Sequence, residues 1–585
     1  MIGKGLLFHA RRAMIVLMSL LANDPPRAQG AETADIEPAR ARFASLVAAE
    51  LAQGILPGVS VSWVVDGQIV HSTGYGQADW TKGLPAKADT IYRAGSISKL
   101  LNAVAAMQLV EQGRLDLDAP ISRVLPGFSI VVPFDDAPPI TARQLLCHRS
   151  GMIREAPVGG YFDAAQPSVA QTVASVADCV LVNRPNSKTR YSNVGPTIVG
   201  RALEVQSGIS YADYQQKHVL GPLGMHSSAW LMNDALRPRL AAGRMRIAQG
   251  DGSYADDVAP QFELGTIPSG NLYTTADDLA RFAIWVMNLA GAANDGGAAG
   301  ILRPESLAEI CRVQLTGEPN GFGLGFMVGR HQQHRSLSHM GAVYGFTSSW
   351  CVLPDERIGV VVLANADIAI APVKRLSDAS LDLLLAAMQS AKAGNTARTE
   401  IPAETPPAAA PNSESLERFA GDYESAGYWA HLAVRNGALA GEFSGQPIAL
   451  AQTGPLKFQA NGRIMLQQPF EFQRGEDGRI SGFSAVGQSF RRVDESPVTT
   501  SPEAWKHLVG CYGPPYIPLV IAIRHGHLYA TLENEYDYRL TPENRVSFAL
   551  PPGMYADERI VFQLDSSGKV TGAVMANMVL PRRAD

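Results

Sequence analysis

A chain of 585 residues exceeds what one hydrophobic core normally serves, so two or three domains are expected. The composition, 46% hydrophobic and 18% charged, is that of a soluble globular protein. A formal charge of -5 supplies no basic field, which argues against a nucleic-acid partner. The cysteines (Cys147, Cys179, Cys311, Cys351 and Cys511) are few, widely spaced and without a CxxC pair. They point neither to a zinc site nor to a disulfide framework, and most are expected to be small buried apolar residues. One incidental disulfide stays open if the chain is exported.

Lys4, Arg11 and Arg12 precede the apolar run Ala13 to Ala22, and Ala28-Gln29-Gly30 offers small residues for cleavage. That run is too short to span a bilayer, so residues 1–30 read as a secretory signal. An exported protein, periplasmic or secreted, with no stable membrane insertion after signal removal, is the expectation.

Apolar residues at helical spacing predict a helix over Ile36 to Gln53. Gly58 to Val65 and Gln68 to Ser72 then read as a hairpin around Asp66-Gly67. Helical spacing returns from Ser96 to Gln112, stopped by Gly113, and again over Gly195 to Gln206 and Thr275 to Leu289. Phe346 to Leu353 and Ile358 to Leu363 read as paired strands around Pro354-Asp355-Glu356-Arg357. Strands at both ends with helices between predict one α/β (α+β) unit over 31–392, whose sheet pairs early strands with late ones.

Residues 393–414, rich in Ala, Pro and Thr, have no apolar period and read as a linker. Beyond it runs a weak repeat. Phe419-x-Gly421-x-Tyr423 recurs as Leu508-x-Gly510-x-Tyr512, and Arg435-Asn-Gly437 as Arg524-His-Gly526, both offset by 89 residues. Phe472, Gly478 and Gly482 recur as Phe562, Gly568 and Gly572, offset by 90. Two similar small antiparallel β (barrel-like) modules, 415–494 and 501–583, are predicted, with Tyr423 and Tyr512 in their cores.

Ser96-Ile97-Ser98-Lys99 opens a predicted helix, where residues three apart share a face. A partly desolvated lysine with a lowered pKa can take the proton that makes a serine hydroxyl a poor nucleophile. A bare Ser-x-x-Lys is common; it recurs at Ser566 to Lys569 in a predicted hairpin turn. Tyr191-Ser192-Asn193 follows, and a tyrosine near an ammonium can have a depressed pKa and shuttle protons. His339-Met340-Gly341 leads into Ala342.

In this order and with their flanks, the three motifs resemble the serine β-lactamase and DD-peptidase superfamily, in particular its class C-like hydrolases. The resemblance spans about residues 38–390. It includes Tyr92-Arg-Ala-Gly-Ser-Ile-Ser-Lys99, Gly113 to Pro120, Ile140 to Gly151, Gly221-Pro-Leu-Gly-Met225, Gly270 to Thr275 and Gly321-Phe-Gly-Leu-Gly325. It implies a β-lactamase-like catalytic domain with an antiparallel sheet and a helical subdomain. Ser96 is then the acylated nucleophile, Lys99 its proton acceptor, and Tyr191 the relay to the leaving group and base for deacylation. Asn193, His339 and Gly341 bind substrate, and the backbone N–H groups of Ser96 and Ala342 form the oxyanion hole. No metal or organic cofactor is implied.

His339 stands where β-lactamases usually carry the lysine of Lys-Thr-Gly. A histidine binds a carboxylate less reliably, and this His-x-Gly is similar to that of D-aminopeptidases and several esterases. The ranking is therefore a peptidase or amidase on a small peptide, one with a D-residue included, ahead of an esterase on short acyl esters or a weak β-lactamase. A non-catalytic penicillin-binding protein would not need Ser96, Lys99 and Tyr191 together. One hydrolase domain followed by two β modules is similar to D-aminopeptidase, in which a β-module loop enters the active site and selects a free amino terminus. Asp477, Glu533, Glu535 and Asp537 are the acidic candidates for such a loop. The expected partner is a small peptide or ester, and a homo-oligomer is compatible with the sequence. His148 is expected to pack or cap, and His331 and His334 to lie in a solvated loop rather than on a metal. The chain lacks Gly-x-Ser-x-Gly and His-Glu-x-x-His, which argues against an α/β-hydrolase and a zincin protease.

Overall fold

The computed structural model describes residues 35–291, 300–315, 317–392, 416–493 and 502–584. The predicted secretory signal and linker lie outside the described residues. Among these residues no helix is long and apolar enough to cross a membrane.

The first unit is built on helices α1 (Glu37–Ala52), α2 (Ser98–Glu111), α3 (Val194–Ser207), α4 (Ala276–Gly291) and α5 (Ile370–Lys392). Its main strands are β1 (Gly58–Val65), β2 (Gln68–Asp79), β3 (Met327–His331), β4 (His334–Val343), β5 (Phe346–Leu353) and β6 (Ile358–Ala364). They form an eight-stranded antiparallel sheet in the order Leu84–Pro85, β2, β1, β6, β5, β4, β3, Gly321–Phe322. β1 pairs with both β2 and β6, so Trp63 faces His71 on one side and Val360 on the other. The early-with-late pairing expected from the sequence is present. Asp66 and Gly67 both take positive φ (48° and 79°), the turn that matches strand twist.

β1, β5 and β6 are buried along almost their whole length because helices cover both faces of the sheet, and the serines that alternate in β1 are buried with the rest. Phe43, Val47, Trp63, Leu376 and Leu384 fill the layer under α1 and α5. Val64, Val361, Phe282 and Val286 fill the layer under α4. α2 is buried on every side from Ser98 to Leu109, its polar Ser98, Lys99, Asn102 and Gln108 included. The predicted start of this helix at Ser96 shifts: Gly95–Ile97 is a separate 3-10 turn. Cys147, Cys179, Cys311 and Cys351 are buried, as expected.

The first C-terminal module closes eight antiparallel strands, Gly421–Glu424 to Gln488–Arg492, into a barrel. The second repeats its strand order with one break. The counterpart of the continuous strand Gln446–Gly454 is divided into Tyr536–Arg539 and Thr541–Pro542. Pro542 has no amide proton, and the module separates into a four-stranded and a five-stranded sheet. The repeat holds in detail. Tyr423 Oη donates to the Phe419 carbonyl at 2.9 Å, and Tyr512 Oη to that of Leu508 at 2.6 Å. Arg492 reaches the Ala420 carbonyl at 2.7 Å, and Arg582 that of Val509 at 2.9 Å.

Candidate active site

Ser96 sits in the tight turn before α2. Gly95 has φ +53°, and a Cβ there would stand 2.8 Å from the Ala342 nitrogen. A Cβ on Gly341 would stand 2.9 Å from the Ser96 nitrogen. Glycine at both positions lets the backbone of β4 close on that of Ser96, which brings together the two amides expected to form an oxyanion hole.

One helical turn further, Lys99 is fully buried. Its Nζ donates to Ser96 Oγ at 3.0 Å, to Asn193 Oδ1 at 2.7 Å and to the Ser269 carbonyl at 2.8 Å. Burial holds its pKa well below the usual lysine value, with Glu155 opposing the shift and Arg154 adding to it. Tyr191 Oη donates to Ser96 Oγ at 2.7 Å. The depressed tyrosine pKa expected from the sequence does not occur: burial pushes the phenol up to about 12, only partly offset by the bond to Ser96. The reason is geometric. Lys99 Nζ stands over the face of the ring, 4.8 Å from its centroid, instead of beside the hydroxyl.

Asn193 stands at the N-terminal boundary of α3, where its amide makes no capping bond and is engaged at both ends instead, by Lys99 at Oδ1 and by Glu155 at Nδ2. His148 packs, as expected. Its ring lies 4.4 Å from that of Tyr191, and its Nδ1 accepts from the Ser192 amide at 3.2 Å. His339 is buried on β4, with Nδ1 bonded to the Met340 carbonyl. Among the described residues its Nε2 has no partner. Burial, then Lys99, lower its pKa to about 4, so the imidazole is neutral at physiological pH. His331 and His334 correct the solvated-loop expectation. They pair across β3 and β4 and meet Asp382 at 2.7 Å and Glu356 at 2.5 Å, because only Gln332 and Gln333 form the turn. Ser566 lies in the hairpin turn closed between Asp565 and Lys569, as expected.

The second β module reaches this cluster. A cavity of about 170 Å³ is lined by Ser96, Tyr191 and Asn193 from the first unit and by Glu533, Glu535 and Met554 from the second module. Arg154 holds Glu533 through Nε at 3.3 Å and Nη2 at 3.4 Å, and Tyr555 Oη donates to the same carboxylate at 2.5 Å. Two of the four acidic candidates are thus at the site. Asp537 is instead bonded to Trp429 Nε1 at 3.1 Å and Thr531 at 2.6 Å, and Asp477 lies in an exposed turn. Sequence reasoning missed Arg154, Glu155, Tyr161, Asp367 and Tyr555. Only Arg154-Glu155 carried a local signal, directly following the Ile140 to Gly151 segment.

Glu155 is fully buried, with Oε2 unpartnered among the described residues. Burial pushes its pKa up to about 7, against the pull of Arg154. An acid whose folded pKa is raised destabilises the fold progressively as pH climbs from its unfolded value through the folded one. Glu155→Gln is therefore expected to gain thermal stability over the parent at pH 8 and little at pH 5. Equal differences at both pH values in thermal melts would contradict this.

A serine, a buried lysine and a tyrosine thus meet at one hydroxyl, between a buried helix and the face of an antiparallel sheet. Residues 43–385 match the Beta-lactamase family, and the chain belongs to it. Penicillin-binding protein 4 of Amycolatopsis lactamdurans is 28% identical over 386 residues, covering 64% of this chain and 94% of that protein. Protein flp of Staphylococcus aureus strain MW2 is 24% identical over 326 residues, 55% of this chain and 62% of flp. Among solved structures, the octameric penicillin-binding protein homologue from Pyrococcus abyssi superposes with a TM-score of 0.53 at 21% identity. It covers 86% of this chain and 99% of its own, so the likeness of fold extends beyond the first unit.

Proposed function

We propose that the protein is a peptidase or amidase that cleaves an amide bond of a small peptide, with D-residues among its substrates, through an acyl-enzyme on Ser96. The observation that carries the reading is the Ser96 hydroxyl held by both Lys99 and Tyr191. Lys99 donates all three of its protons in the resting site, and its lowered pKa lets it lose one and then take the serine proton as Oγ attacks the carbonyl carbon. The amides of Ser96 and Ala342 hold the tetrahedral oxyanion. The Tyr191 phenol, protonated at neutral pH, gives its proton to the departing amine, which leaves a phenolate while Lys99 holds the proton taken from Ser96. Water then attacks the ester as the Tyr191 phenolate takes its proton, and Lys99 returns a proton to the departing Ser96 Oγ, restoring all three groups.

Two features support a peptide carrying a free amine. Glu533 and Glu535 line the small cavity beside Ser96, where an ammonium would be paired. His339 is neutral where β-lactamases place a lysine, which weakens any hold on a β-lactam carboxylate. The test is initial rates on a D-alanine p-nitroanilide, its N-acetyl derivative and a short p-nitrophenyl ester. Turnover of the free-amine anilide, at least about tenfold above the acetylated one in kcat/KM, is expected; that ratio corresponds to about 1.4 kcal/mol. Ester turnover alone would replace the reading with an esterase. Labelling by a fluorescent penicillin without turnover would replace it with a penicillin-binding protein.

A further inference from the structure

Behind the catalytic cavity lies a larger one, of about 570 Å³, between the first unit and the β-barrel. Its walls are the end of α1 at Gln53 to Ile55, the hairpin of Arg244–Ala248 with Tyr254–Val258, and the barrel at Pro447 and Gly462. Asp367 lines both cavities. Three guanidinium groups face the larger one. Arg244 and Arg246 alternate on a strand and so share a face. Arg244 is partly matched by Asp256 at 3.7 Å and bonds to the Ile55 carbonyl at 3.0 Å. Arg246 lies over the Tyr254 ring, 4.5 Å from its centroid.

Arg463 is the unusual member. It is only 5% exposed, and its Nη2 donates to the Asn534 carbonyl at 3.3 Å. Among the described residues its Nε and Nη1 donate to nothing. A buried cation with idle donors is strongly unfavourable unless something supplies acceptors and charge. Asp367 answers it only from a distance, and its own carboxyl is pushed up to about 6 by burial. Three arginines line the cleft with Asp256 and Asp367, and its volume is that of a small-molecule site.

We propose that this cleft binds a small molecule bearing an oxyanion, a carboxylate or a phosphate, whose oxygens accept from Arg463 with Arg246 and Arg244 at the rim. The site is independent of the acyl chemistry on Ser96. Its ligand would lie against the Asn534 turn, whose neighbours Glu533 and Glu535 enter the catalytic cavity.

The experiment is isothermal titration calorimetry of the full chain with inorganic phosphate and, separately, succinate, in chloride at matched ionic strength. One equivalent of at least one anion is expected to bind. Binding of phosphate alone assigns a phosphate-bearing ligand, and binding of succinate a carboxylate. Arg463→Gln is expected to weaken binding at least tenfold. Arg246→Gln, a half-buried rim residue whose loss threatens the fold less, is expected to weaken it several-fold. The proposal is overturned if neither anion binds, or if binding is the same in both variants, in which case water alone fills the cleft.

Discussion

Ser96→Ala is expected to lower turnover of every hydrolysed substrate to background, and Lys99→Met to lower kcat by about 10³-fold or more. The second result is the more telling. Serine at position 96 explains an acyl-enzyme in any hydrolase of this kind, whereas Lys99 is the group here placed to take the serine proton. It is fully buried and within 3.0 Å of Oγ. Methionine keeps the length and apolar stem of the lysine, so the helix α2 core stays filled. Lys99→Arg is expected to fail equally, since a guanidinium stays protonated and cannot act as base. Circular dichroism and thermal melting should show both variants folded. Because burial lowers the Lys99 pKa, the acid limb of the parent's activity profile should report deprotonation of this lysine and lie below the range of an ordinary lysine. Retention of a tenth or more of parental kcat in Lys99→Met would remove Lys99 from the role of base.

What was legible in the sequence follows from how local each feature is. Ser96 and Lys99 lie one helical turn apart, and Asp66-Gly67 fixes its hairpin by backbone preference alone, so both can be read from neighbours. The repeat was legible because the Tyr423 and Tyr512 hydrogen bonds each close over four residues. The acidic turns were not separable. Asp477, Glu533, Glu535 and Asp537 all sit in or beside β-turns, and which turn meets Ser96 depends on how the second module docks. The repeat sharpens the point. Ser444-Gly445 in the barrel occupies the position that Glu533-Asn534 holds in the second module, and both turns have positive φ. In the barrel the turn packs beside Trp429; in the second module it carries carboxylates into the cavity beside Ser96. The sign of the Tyr191 shift was misread for a related reason. Proximity to an ammonium is visible in a motif, but the approach to the ring face and the burial of the hydroxyl are not.

Arg154→Met is expected to cause a large loss of stability. Its guanidinium is the cation between Glu533 on one side and Glu155, 3.8 Å away, on the other. All three side chains are at most 10% exposed, so Coulomb terms are little screened. Removing one partner of such a group leaves uncompensated buried charge, which costs about 3–5 kcal/mol. The pH dependence has a definite sign. Without Arg154 the charge of Glu155 loses its neighbouring cation, so the loss is greatest at pH 8 and shrinks toward pH 5, where Glu155, with its pKa near 7, is already protonated. The double variant Arg154→Met with Glu533→Gln should recover part of it, because the second change removes the stranded charge. Thermal melts of the parent, both single variants and the double variant at pH 5 and pH 8 test this as a cycle. If Arg154→Met melts with the parent at pH 8, the ion pair does not hold the acidic turn over Ser96, and the docking rests on contacts such as Arg190 with Glu558. If it melts lower and also loses selectivity for the free amine, one arginine both secures the second module and sets the carboxylates that read the substrate.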